Sequence, residues 1–334
     1  ILATSRAPLG IAGETAWRIP LLTVPPVTGE AEADAGPAQV AAAETVRLFC
    51  ARAVAARPDF MLTAANAGAV AEICRRLDGI PLAIELAAPW VRLLPVAEIA
   101  TRLAGSLDLL TGGSRSAPPR HRTWQATLDW SYALLDVPEQ MLLHRLAVFA
   151  GSFTLPAAEA AGAGDGIAAA AVLPLLARLV DLSLVMAEPE GGRYRLLETV
   201  RLDALARLAA RGEAEATRHR HAAYYRDLAL AALPALWDPH PDRDRWFAEL
   251  DRDLDNVRAA WRWADGAGEP ETALWLDGAL APYFTDRGLI VEARRRLATA
   301  LARPGAASAL ARAWASLGAG LLARAVEEYA AAAT

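Results

Sequence analysis

The run Ile73–Ala88, ICRRLDGIPLAIELAA, constrains this chain more than any other stretch, because it joins two apolar helical patterns through Asp78-Gly79-Ile80-Pro81. Val70, Ile73, Cys74 and Leu77 fall at i, i+3, i+4 and i+7, which places them on one helix face. Burying those side chains is worth roughly 6–12 kcal/mol gross. Gly79 suits the left-handed turn that ends a helix, and Pro81, with a preset φ and no N–H, suits the first turn of the next. Spacing alone leaves two readings of the joint open: a plain helix-turn-helix corner, or a proline ring held against a ligand.

The chain has 334 residues, more than a single hydrophobic core organises, so more than one domain is expected. Its hydrophobic fraction of 54% is carried largely by alanine and leucine and only 7% of residues are aromatic, which points to a mostly α protein. All 34 basic residues are arginines. The phosphate-binding loop G-x-x-x-x-G-K-[ST] needs a lysine on the β- and γ-phosphates, so this chain holds no such loop. A formal charge of -5 and a pI near 5.7 argue against a generally basic nucleic-acid-binding surface, while leaving room for a local arginine patch. Cys50 and Cys74 both fall in helical patterns, which reads as buried thiols in a reduced, cytoplasmic protein without a cysteine metal site. There is no signal peptide and no apolar run of membrane-spanning length, so no membrane partner is expected. The sequence opens at Ile1 inside a strand-like run, and the expectation is a piece of a longer protein.

That run, Ile1-Leu2-Ala3-Thr4-Ser5-Arg6, is closed by Pro8 and Gly10 and suits the end of a buried strand. Ligands of open parallel sheets sit outside the carboxyl ends of strands, so Arg6 is a phosphate-binding candidate, with a solvated loop arginine as the alternative. Residues 17–22, WRIPLL, form a second brief extended segment, and Thr23–Gln39 reads as a linker. Helices are expected from Val40 to Pro58, over Ala64–Leu77, over Pro81–Leu93 and from Pro95 to Leu103, before a loop at Leu110–Pro119. Four more follow at Thr123–Leu135, Pro138–Phe149, Leu155–Ala161 and Val172–Val180. Ser183–Ala187 and Arg193–Leu197 are strands joined by Glu190-Gly191-Gly192, a hairpin signal. Helices followed by a hairpin describe a winged helix. Glu198–Arg211 is a helix stopped by Gly212, and the remainder is helical with breaks near Pro239–Pro241, Gly266–Pro270, Gly288 and Pro304–Gly305. Alanine-rich crossings there suggest tetratricopeptide-like pairs, although no strict period of ~34 residues is visible. Trp237, Trp246, Trp261, Trp263, Trp275 and Trp314 suit packing better than a binding surface.

Taken in order, ILATSRAPLG, ICRRLDGIPLAIELAA, PPRHRTWQATLDWSYALLDVPEQMLLHRLAVFAGSFTL and RYRLLETVRLDALARL resemble the NB-ARC-type ATPases of the STAND class, in particular bacterial LuxR-like and AfsR-like transcriptional regulators. The resemblance covers nearly the whole chain. It implies the end of an α/β nucleotide-binding domain plus linker over 1–39, a small helical domain over 40–113, a winged helix over 114–211 and a TPR-like repeat region over 212–334. Thr4, Ser5 and Arg6 then match the sensor-1 motif, whose arginine approaches the terminal phosphate of ATP or ADP. Gly79, Ile80, Pro81 and Leu82 match the G-x-P motif, whose proline packs on adenine. Leu196-Leu197-Glu198 stands where many relatives read Met-His-Asp; Leu197 removes the histidine contact to the β-phosphate, and Glu198 keeps a structural role by capping the next helix, so the pair is a candidate interdomain switch. No catalytic residue and no metal ligand is assigned. Mg²⁺, the P-loop and the acidic strand belong to a preceding domain in the family, so ATP hydrolysis is expected only of a parent protein. The implied partners are a nucleotide, that P-loop domain, a protein or small-molecule ligand on the repeats, and DNA through a separate module.

Two alternatives belong to other classes. A winged-helix DNA-binding or protein-interaction scaffold would use Arg115, Arg120, His121, Arg122 and Arg145 as its positive charge. A hydrolase lacks support: no Ser-His-Asp or Cys-His arrangement stands out, and His219 and His221 at i, i+2 do not face each other and read as surface residues.

Overall fold

The computed structural model describes residues 11–15, 17, 19–26, 37–104, 109–110, 124–188, 191–303 and 307–332. The strand expected at Ile1–Arg6, most of the linker and of the loop after Leu110, Glu190 of the hairpin turn and Pro304–Gly305 lie outside them. In chain order the elements are α1 (Pro37–Ala41), α2 (Glu44–Ala56), α3 (Ala64–Arg76), α4 (Pro81–Ala87), α5 (Val96–Leu103), α6 (Trp124–Tyr132) and α7 (Val137–Leu146). Then come β1 (Phe153–Thr154), α8 (Leu155–Gly162), α9 (Ala169–Asp181), β2 (Val185–Ala187), β3 (Arg193–Leu196) and α10 (Glu198–Ala210). The last are α11 (Ala214–Trp237), α12 (Arg243–Ala267), α13 (Pro270–Ala279), α14 (Ala281–Asp286), α15 (Ile290–Ala302) and α16 (Ala309–Ala332). The protein is mostly α with a small β-hairpin, and a third short strand joins it in the order β1-β3-β2. Phe153 pairs antiparallel with Tyr194; a strand of two residues is too short to carry an alternating pattern, so the sequence does not announce it.

The described residues form two compact units: those within 1–144, 174–186 and 196–207, and those within 145–173, 187–195 and 208–334. In the first, α2 packs on α4 and on the 3-10 turn Ala88–Arg92, and α3 packs on α5. Val46, Phe49, Val70, Ile73, Cys74, Leu77, Ile84, Ile99 and Leu103 are buried, so the four positions of the α3 stripe all face the core. α4 ends earlier than the apolar pattern suggests because Pro89 has no N–H to bond back to Glu85, and the chain tightens into the 3-10 turn. Residues 17 and 19–22 form no strand. Instead the Leu22 N–H donates to the Gly79 carbonyl at 3.1 Å. The Thr23 hydroxyl accepts from the Glu44 N–H at 3.0 Å and its own N–H donates to the Glu44 carboxylate at 3.0 Å, which caps α2.

In the second unit α11 packs on α8, α12 and α13, while α13 also meets α15 and α16. At the α13–α16 crossing a Cβ on Gly278 would stand 2.8 Å from the Ala315 nitrogen, so only glycine admits that approach. α12 and α15 turn matched faces toward one cleft: Arg258, Trp261, Arg262 and Asp265 on α12 are each followed 34 residues later by Glu292, Arg295, Arg296 and Thr299 on α15. Trp237, Trp275 and Trp314 serve packing: Trp237 lies edge-on to Trp314 at 5.2 Å, its indole N–H donates to the Ala279 carbonyl at 3.0 Å, and Trp275 is buried, whereas Trp261 lines the cleft.

His221 corrects the sequence reading. His219 is exposed, but His221 is buried against Phe149 at 5.0 Å and Tyr225 at 4.8 Å, because with Thr217 and Tyr225 it lies on the inner i, i+4 stripe of α11. Burial pushes its pKa down to about 3, with a smaller opposing pull from Asn256. The imidazole is therefore buried neutral while the unfolded chain takes up the proton near 6.5. A depressed folded pKa leaves stability intact above about pH 6.5 and removes it as pH falls toward 3. Denaturant titrations at pH 8 and pH 4 should show the wild type losing on the order of 3 kcal/mol more than His221→Phe does.

Candidate functional site

The joint between α3 and α4 is built from two consecutive left-handed residues. The Leu77 N–H closes α3 on the Ile73 carbonyl at 3.1 Å; Asp78 then turns at φ 52° and Gly79 at φ 73°. Ile80 is extended, Pro81 opens α4, and the Ile84 N–H reaches back to the Ile80 carbonyl at 3.2 Å. Gly79 is buried under the backbone of Leu22, whose carbonyl oxygen would stand 2.2 Å from any Cβ at this position. Only glycine meets both the dihedral and the space. Leu82 is half-buried, whereas the Pro81 ring is exposed.

Leu197 and Glu198 come to the same joint. Leu197 precedes the first residue of α10 and has no side-chain oxygen with which to cap the helix. The carboxylate of Asp78 takes that place by accepting the Glu198 N–H, across 120 residues of sequence. The Glu198 carboxylate itself turns onto Arg201 through bonds of 2.7 and 2.8 Å. It also sits in the first turn of α10, where negative charge is favoured. The Leu197 side chain is buried and its carbonyl accepts the Arg201 N–H at 2.8 Å. Asp78 was the residue missed from sequence. Its signal was a carboxylate inside a left-handed turn, matched by a helix start that lacks its own cap.

Among the described residues, then, the joint brings Asp78, Gly79, Ile80, Pro81, Leu82, Leu197 and Glu198 into one neighbourhood, while Thr4, Ser5 and Arg6 lie outside them. A cleft of about 420 Å³ in the same unit is lined by α1, α3, α5 and Pro25-Pro26, with Glu72 and Arg75 as its charged residues, and includes none of Gly79–Leu82. The described residues contain no grouping of His, Cys, Asp and Glu able to hold a metal ion. No helix among them is long and apolar enough to cross a membrane. Cys74 is a core thiol, pushed up to about 12 by burial against a smaller lowering by Thr45, and is no nucleophile.

No family model matches the chain, and no solved structure matches it. Over 294 residues, 87% of its length, the chain is 45% identical to a protein of Mycobacterium tuberculosis named "Putative HTH-type transcriptional regulator" and to one of the same name from Mycobacterium bovis, covering 31% of each. Over 224 residues, 66% of its length, it is 43% identical to an uncharacterised protein of Mycobacterium tuberculosis, covering 53% of that protein. The chain thus spans between about a third and about half the length of these curated relatives.

The joint makes a direct stability prediction. Gly79→Ala should cost at least about 2 kcal/mol in a denaturant titration, from left-handed strain together with the collision at Leu22. Asp78→Ala should cost about 1 kcal/mol, and Asp78→Asn, which keeps an acceptor oxygen, only a fraction of that.

Proposed function

We propose that this chain is part of a cytoplasmic, ATP/ADP-gated switch of the STAND class that controls transcription, with its C-terminal helices as the sensor. The observation that carries this reading is the Asp78 cap on α10. It ties the Gly79–Pro81 turn, whose exposed proline would pack on adenine, to the helix that follows the hairpin. A ligand seated on that turn would bias the start of α10 through a single hydrogen bond. This is the kind of two-state element a nucleotide can act on if it contacts the two states differently. Further support comes from the ordered motif resemblance and from the regulator name of the 45%-identical relatives. The 34-residue offset between the matched faces of α12 and α15 supports a TPR-like arrangement of the sensor. The nucleotide would be held by Thr4–Arg6 and Gly79–Leu82 together with a P-loop domain that also carries Mg²⁺. Titrating ADP into a polypeptide that contains this sequence and its upstream reading frame tests the reading. Pro81→Ala should weaken binding by roughly tenfold, the scale of about 1.4 kcal/mol, and Arg6→Ala should weaken it too. Equal affinity in wild type and both variants would sink the proposal.

The relatives' name also favours DNA contact, and the question is whether the winged-helix stretch makes it. Arg145 does not serve as a surface charge: it is buried, donates to the Gly162 carbonyl at 2.9 Å and the Asp165 carbonyl at 2.7 Å, and pairs with Glu213 at 2.9 Å. Arg115, Arg120, His121 and Arg122 lie outside the described residues. We place DNA binding in a separate module of the regulator. This chain alone should then give no salt-steep mobility shift with duplex DNA; a shift whose affinity falls steeply with salt would reassign the function to the winged helix.

A further inference from the structure

We propose that the cleft between α12 and α15 binds a small organic anion, whose carboxylate or phosphate group is held by Arg262 and Arg295 beside the Trp261 ring. The proposal deepens the reading of the C-terminal helices as a sensor, and its biological meaning rests on that reading. The cleft has a volume of about 480 Å³, within the range of small-molecule sites. Its walls are the facing i, i+3, i+4, i+7 stripes of α12 and α15, and α13 packs against both helices. Such stripes are normally apolar and closed against each other. Here they carry Arg258, Arg262, Arg295 and Arg296 against only two lining carboxylates, Asp265 and Glu292.

The internal pairing is selective. Arg258 makes a two-pronged bond to Glu292 at 3.0 and 2.7 Å. Arg296, only 4% exposed, bonds Glu292 at 2.7 Å and Asp277 of α13 at 3.0 Å, with its guanidinium 4.7 Å from the Phe284 ring centroid. Those pairs use up the carboxylate of Glu292 and hold Arg258 and Arg296 rigidly. Asp265 is paired with Arg303, outside the lining. Arg262 and Arg295 form no ion pair among the described residues; Arg262 makes only a long bond, 3.3 Å, to the Arg258 carbonyl. Two exposed guanidinium groups without a direct ion pair among the described residues are therefore left on opposing walls of a concave site, an arrangement suited to a carboxylate or phosphate through charge-assisted hydrogen bonds.

Behind the cleft wall, Arg296 Nη2 lies 2.9 Å from Asp277 Oδ1 and its guanidinium 5.6 Å from the Trp261 ring centroid, so these side chains are held by their own contacts. Burial lifts Asp277 to about 7, against the opposing pull of its partner Arg296.

Thermal-shift and calorimetric titrations of the full chain with phenyl phosphate, benzoate and, as a cationic control, benzylamine test the site. Phenyl phosphate or benzoate should bind saturably and benzylamine should not; the tighter of the two anions identifies phosphate or carboxylate as the recognised group. R262A/R295A, which alters two exposed side chains, should weaken anion binding by about tenfold or more, and the paired lysine variant should recover part of it. Absence of saturable binding by both anions, equal affinity in R262A/R295A, or equal binding of benzylamine would overturn the site. These titrations contain neither nucleotide nor DNA, so their failure is separate from a failure of the ADP titration.

Discussion

A single carboxylate, that of Asp78, closes two problems of chain geometry at once. It belongs to a turn that must reverse α3 into α4 through two left-handed residues, one of which sits under the Leu22 backbone. It also supplies the oxygen that α10 lacks at its start, where Leu197 stands in the cap position. A helix start without a cap leaves backbone N–H groups unsatisfied, and a turn without glycine at position 79 would not form. The neighbourhood is therefore specified by mutual dependence: Leu22 bonds the Gly79 carbonyl, Thr23 caps α2, and Asp78 caps α10. A ligand that disturbed the Pro81 turn would be felt at the first residue of α10 without any long relay.

The second unit depends on a buried polar cluster of a different kind. Arg193 of β3 and Asp253 of α12 form an ion pair at 2.7 Å, both nearly inaccessible. Removing two charges from water is costly, and such a pair is tolerable only when the remaining hydrogen-bonding positions are filled. They are: Tyr225 donates to Asp253 at 3.1 Å, and Arg193 donates to the Ser152 hydroxyl and carbonyl, both at 2.9 Å. Asn256 completes the set by donating to the Ser152 carbonyl at 2.8 Å and accepting the Ala150 N–H at 2.8 Å. The cluster fixes how the turn before β1, the hairpin strand β3 and the helices α11 and α12 meet. His221 lies in the adjoining aromatic layer of Phe149, Phe153 and Tyr225, where a charged imidazole has no place.

Much of this architecture was legible beforehand because it rests on local rules. The apolar stripe of α3, the stop at Gly79, the restart at Pro81, the hairpin around Gly191-Gly192 and the breaks near Gly268 and Gly288 all follow from periodicity and from residues with restricted or unusual dihedrals. What was not legible involves partners far apart in sequence. β1 is too short to show alternation and exists because Tyr194 pairs with Phe153. Arg145 read as surface charge, yet two backbone carbonyls and Glu213 draw it inside. Asp78 read as a turn residue, and its second role needs Glu198 to arrive 120 residues later.

By itself, then, the sequence determined the helix-rich class, the positions of several breaks and the presence of a helix-turn joint at Ile73–Ala88, since each depends on neighbours within one or two helical turns. Absence of lysine settled from composition alone that no lysine-bearing phosphate loop lies in this chain. Only the tertiary structure decided that Asp78 serves α10, that Arg193 and Asp253 bury their charges together, and that two stripes 34 residues apart open an arginine-walled cleft. Those outcomes turn on which polar groups lose water and which partners they meet when they do, a choice made by distances across the fold rather than along the chain.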